Sequence, residues 1–102
     1  MPLSNQVAAY KDCYELFDAA VNNEKGARAL IGDHNKALMF RMRMNHSRVL
    51  LRDQSKRAYD RTHSLWGTCE YDAFIVRIKE DEEGQWWAYV EPASDIQTIE
   101  AL

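Results

Sequence analysis

Between residues 4 and 22 apolar side chains recur every three or four positions. Val7, Tyr10, Tyr14, Phe17 and Val21 fall on one face at helical pitch, and Lys11, Asp12, Glu15 and Asp18 turn away from it. The pattern predicts an amphipathic helix with Ser4 as its N-cap, ending at residues 22–24 ahead of Gly26, where a left-handed turn is expected. ARALI (27–31) is too short for a helix between Gly26 and Gly32, and its apolar residues alternate at 27, 29 and 31, which predicts a short strand. Asp33 stands where an N-cap belongs, ahead of residues 34–61, which lie within the longest stretch free of Gly and Pro.

That stretch supports two readings. Leu38, Phe40, Met42 and Met44 alternate as in a strand, but Ala, Leu, Met, Lys and Arg dominate and no turn signal interrupts residues 34–61, so a long helix is the expectation. At helical pitch Ala37, Phe40, Met44, Leu51 and Ala58 form a core seam. Arg41, Arg48, Arg52, Lys56 and Tyr59 form a ridge beside it, Leu38, Met42 and Val49 a second apolar stripe, and Lys36, Arg43, Arg57 and Arg61 the other cationic shoulder.

Residues 62–68 read as a connection that buries Trp66. A hairpin follows: 71–79 with Phe74, Val76 and Ile78 on one face, a charged turn at 80–84 in which Gly84 takes positive φ, and 85–91 returning until Pro92. Trp86, Ala88 and Val90 join one side of the sheet; Trp87 and Tyr89, with Tyr71, Arg77 and Lys79, join the other. Residues 94–102 read as a closing helical turn or a frayed tail. The predicted fold is α+β, one domain over residues 1–102: two layers in the order α-β-α-β-β, a small, mostly antiparallel sheet packed against two helices.

Composition adds chiefly a charge distribution. Residues 1–33 carry 3 basic and 5 acidic groups, 34–61 carry 8 and 2, and 62–102 carry 2 and 9, so a net charge of −3 conceals a strongly cationic centre. Eight cations on one helix repel one another, and an anionic partner relieves that: nucleic acid, an acidic protein surface, or the acidic turn at 80–83 of this same chain. No apolar run approaches the length of a membrane span, and the N-terminus lacks the pattern of a secretory signal, so a cytoplasmic location is expected.

Candidate chemistry is sparse. His34, His46 and His63 form no HExxH or HxH motif, Cys13 and Cys69 have no metal-ligand spacing and read as reduced thiols, and neither GxSxG nor a Gly-rich phosphate loop occurs. No metal, cofactor or enzymatic activity is expected. Trp87, Tyr89 and Tyr71 beside Arg77 and Lys79 offer a stacking platform for unpaired bases, or alternatively a second apolar layer or homodimer contact.

Phe40, Arg41, Arg43, Arg48, Arg52 and Tyr59, then Gly67, Tyr71 and Asp72, then Trp86 and Trp87, form a spaced set over roughly residues 14–91. In this set the chain resembles short accessory proteins encoded by bacteriophages of proteobacteria, although Ser64 stands where that pattern would have a proline. The resemblance implies the helix and hairpin, and a phage-type protein acting by binding in a bacterial cytoplasm. The expected function is therefore non-enzymatic binding of nucleic acid or another anionic partner by the cationic helix 34–61. The alternative is an inhibitor or adaptor directed at a host protein such as a nuclease, polymerase or defence complex. The residues expected to make contact are Arg41, Arg48, Arg52, Lys56, Tyr59, Arg77, Trp87 and Tyr89.

Overall fold

A computed structural model describes residues 9–93; Ser4, Val7 and the closing segment 94–102 lie outside them. In chain order the elements are α1 (Lys11–Val21), β1 (Ala27–Gly32), α2 (His34–Ala58), β2 (Phe74–Glu80) and β3 (Trp86–Pro92). The strands form one antiparallel sheet in the order β1-β3-β2. Both helices pack on the face that carries Ala88 and Val90, which gives the two-layer α+β fold expected from the sequence.

α1 buries Cys13, Leu16, Phe17 and Ala20. Phe17 and the half-buried Tyr10 and Tyr14 belong to the expected stripe, but Val21 is 51% exposed. A second apolar stripe at positions 13, 16, 17 and 20 has the same helical spacing, and the sheet takes that one. Asn22 and Asn23 donate their side-chain amides to the carbonyls of Asp18 (2.9 Å) and Ala19 (2.6 Å), closing the last turn of the helix. Gly26 then turns the chain into β1 at φ +92°, with its Cα against the backbone of Val90.

Asp33 caps α2: its carboxylate accepts from the Lys36 N–H at 3.0 Å. Ala37 and Met44 of the expected seam are fully buried and Phe40 and Leu51 pack against the core, but Ala58 is exposed. The cause is length. Twenty-five helical residues span about 37 Å, whereas the 7-residue strands beneath span about 23 Å. The last turns of α2 therefore extend past the sheet. The helix also stops at Ala58 and not at Arg61: Tyr59 becomes extended and stacks on His63, with 4.4 Å between ring centroids, and hydrogen-bonded turns carry the chain to Thr68.

Tyr71 departs from its expected place. It is 4% exposed and lies parallel to Phe17 at 4.6 Å, with its hydroxyl on the Asp18 carboxylate, inside the core and not on the outer sheet face. The turns Asp72 N–H to Cys69 O and Phe74 N–H to Tyr71 O precede the sheet, so β2 begins only at Phe74. Cys13 and Cys69 are both free thiols, and burial pushes Cys13 up to about 12, where it stays protonated and inert.

A Cβ at Gly26 would lie 2.1 Å from the Val90 carbonyl oxygen. Gly26→Ala is expected to destabilise by at least about 2 kcal/mol, through clash and positive φ together, as read by urea denaturation. Gly84→Ala has no such clash and should cost only the left-handed strain, about 1 kcal/mol.

Candidate functional site

Three of the seven Lys and Arg side chains on α2, Arg43, Arg48 and Arg52, hold polar partners within the molecule. Arg43 grips the Asp12 carboxylate with two hydrogen bonds of 3.0 Å, donates to the Ala9 carbonyl and lies over the Tyr10 ring. Arg48 turns inward: one guanidinium nitrogen donates to the carbonyls of Phe74 (2.7 Å) and Tyr71 (3.3 Å), the other to the Asn45 side chain, and the group sits over Phe17. Burial, and then the nearby Arg52 charge, lower its pKa below the ordinary arginine value. Arg52 donates from two nitrogens to one Asp72 oxygen.

Lys56 lies over Trp66, and Tyr59 stands beyond the helix against His63. Among the described residues Arg41, Lys56 and Tyr59 of the predicted ridge have no side-chain hydrogen bond or ion pair. The five residues do not form one outward ridge: Arg48 and Arg52 are directed at the start of β2, and Tyr59 lies past the helix end. Among the described residues no ion pair joins α2 to the acidic turn at 80–83; Asp12 and Asp72 take that part.

Among the described residues, neither helix packs on the opposite face of the sheet. The register sets out two rows across it: Arg28, Tyr89, Arg77 and Leu30, Trp87, Lys79. Side chains directly opposite one another in a sheet share a face, so an aromatic column on the central strand is flanked by a cation on one side or both. Arg28 places its guanidinium 3.9 Å from the Trp87 ring centroid and donates to the Tyr89 hydroxyl; the Lys79 ammonium is 5.2 Å from the Tyr89 ring. Leu30, 55% exposed, continues the apolar surface, and Ile75 with Glu91 forms the next row.

Trp87 is held in place by the hairpin turn. Its indole N–H donates to Asp81 at 2.7 Å, and the other Asp81 oxygen accepts from the backbone of Glu83 and Gln85. These bonds, the Trp87 one foremost, keep the Asp81 carboxyl below the usual range. The indole plane is thus fixed by the turn that reverses the chain.

Arg77, Trp87 and Tyr89 therefore come together as expected from the alternation in the hairpin, and Tyr71 does not join them. Arg28 was not foreseen as a site residue. Its signal was the inward alternation of 27, 29 and 31, which turns 28 and 30 outward, but nothing local told that β1 lies beside β3.

Among the described residues no group of three or more His, Cys, Asp or Glu side chains converges, and no helix is long and apolar enough to cross a membrane. Fold and face together define a small α+β protein with an open cation–aromatic sheet surface. Comparison with protein-family models, curated proteins and solved structures finds no match.

Arg48→Ala takes the 2.7 Å donor from the Phe74 carbonyl, whereas Tyr71 O keeps the Phe74 N–H, and should cost about 1–3 kcal/mol in urea denaturation. Arg41→Ala should change stability by less than about 0.5 kcal/mol.

The half-exposed pairs add a pH dependence. Hydrogen bonding by Arg43 lowers the Asp12 pKa; for Asp72 burial acts upward, but Arg52 and the Cys69 N–H outweigh it and the net shift is also down. Depressed carboxylates stabilise above their unfolded value, about 3.9, and that stability is lost as pH falls through the folded values. The urea midpoint should therefore drop below about pH 4. Asp72→Asn should begin lower at neutral pH and lose less on acidification, by about 1 kcal/mol or less because solvent screens the pair.

Proposed function

We propose that this protein acts by binding nucleic acid, and that it does so through the open sheet face and not through the cationic helix. The observation that carries the reading is the juxtaposition of Arg28, Arg77 and Lys79 with Trp87 and Tyr89 on a face that neither α1 nor α2 covers. Cations supply attraction to phosphate, and aromatic rings supply a surface on which any base can stack. On α2, by contrast, Arg43, Arg48 and Arg52 already hold intramolecular acceptors, and releasing them would cost stability. The resemblance to phage accessory proteins gives this activity a setting in a bacterial cytoplasm.

A second reading is contact with a host protein. It rests on the side of α2 where Met39 and Met42 are 64% and 70% exposed beside Val49, Tyr10 and His46, and on the net charge of −3, which is unusual for a dedicated nucleic-acid binder.

Fluorescence anisotropy with labelled DNA and RNA tests the first reading. Binding is expected at micromolar protein in low salt, with a slope of log affinity against log salt of about −2 for three cations on a single strand. Arg77→Ala with Lys79→Ala should weaken binding and flatten the slope, and Arg41→Ala should not. No binding to any nucleic acid at low salt overturns the reading. The second reading expects instead a protein partner that survives nuclease treatment and is lost on Met42→Glu.

A further inference from the structure

The sheet face has a spacing as well as a chemistry, and the spacing selects among nucleic acids. Trp87 and Tyr89 are two residues apart on the same strand, which sets their attachment points about 6.8 Å apart. Successive bases in a duplex are about 3.4 Å apart, with both faces covered by their neighbours. A duplex therefore presents no base face to either ring, whereas an extended single strand separates successive bases enough for each to lie on one aromatic side chain.

Resting on the nucleic-acid reading above, we infer that the ligand is a single-stranded polynucleotide laid along β3, with two neighbouring bases unstacked from each other and stacked on Trp87 and Tyr89.

Three features of the face support this occupant. The Trp87 plane is fixed in advance by its hydrogen bond to Asp81, so little side-chain freedom is lost on stacking. Its outer surface already accepts a planar group at van der Waals distance, because the Arg28 guanidinium lies 3.9 Å from the ring centroid. In the complex a base takes that place and Arg28 moves to the backbone phosphate.

Cations flank the aromatic column on both neighbouring strands: Arg28 on one side, Arg77 and Lys79 on the other, within one strand spacing of Tyr89 and Trp87. A phosphate on either side of the stacked bases meets one. The ends are closed to a polyanion. Glu91 lies one row beyond Tyr89, and the acidic turn at 81–83 lies beyond Trp87. The favourable surface is thus two bases long, and the affinity of one site is modest.

The experiment compares unstructured single-stranded DNA, single-stranded RNA and a duplex of the same sequence, using the full chain and four variants. Single strands are expected to bind at least about tenfold more tightly than the duplex. Tyr89→Leu and Trp87→Leu, which keep apolar bulk but remove the π-face, should each weaken single-strand binding about tenfold and leave duplex binding unchanged. Tyr89→Phe keeps the ring and should retain affinity. Arg77→Ala should weaken both ligands alike.

Circular dichroism checks that each variant is folded; should Trp87→Leu fail to fold, the Tyr89→Leu and Tyr89→Phe pair decides alone. The DNA and RNA arms tell which sugar is preferred. Equal binding to duplex and single strand, or unchanged single-strand binding in Tyr89→Leu, overturns this inference while leaving nucleic-acid binding standing. No binding in any arm overturns both.

Discussion

Arg48 joins the parts of this small protein that no backbone hydrogen bond connects. From the middle of α2 its guanidinium reaches the carbonyls of Tyr71 and Phe74, the residues between the irregular connection and β2, while lying over Phe17 of α1. The sheet has only three strands, so the chain that enters it is held largely from outside. Those carbonyls would otherwise be polar groups at the edge of an apolar core, and a charged donor satisfies them more strongly than a neutral one. Tyr71, set by the same contact, stacks on Phe17 and lends its hydroxyl to Asp18. One cation thus fixes both helices relative to the start of β2.

The consequence for function is a division of labour between two groups of cations. Arg43, Arg48 and Arg52 on α2 spend their hydrogen-bonding capacity on Asp12, Asp72, Asn45 and backbone carbonyls, so part of the most basic third of the sequence is taken up in holding the fold. Those on the strands face solvent beside aromatic rings. Among the described residues Arg28 has no ion pair and rests on Trp87. The half-buried Arg48 is held more firmly, because leaving would take its donor from the Phe74 carbonyl.

The second layer is as small as a core can tolerate. α2 outruns the sheet, which leaves its last turns uncovered and makes the helix more a strut than a slab of core; Met39 and Met42, near its start, are exposed as well. The hairpin turn compensates at the other end. Asp81 ties together Glu83, Gln85 and Trp87, so the charged turn that looks like simple solvated punctuation also orients the indole.

By itself the sequence determined the order of elements, the caps at Asp33 and Gly26, the hairpin with its turn at Gly84, and the two faces of β3. Each rests on local physics: period, capping geometry, positive φ, and the strict alternation of a strand. The site was legible to the same extent, since Arg77, Trp87 and Tyr89 share a face by alternation alone. Tertiary structure decided the rest. Which of two apolar stripes α1 buries, whether Arg48 points out or in, whether Tyr71 is core or surface, and that Arg28 stands beside Tyr89 all depend on long-range pairing. β1 and β3 are separated by the whole of α2, and a helical wheel gives a side chain's direction without saying whether a carbonyl or water awaits it there.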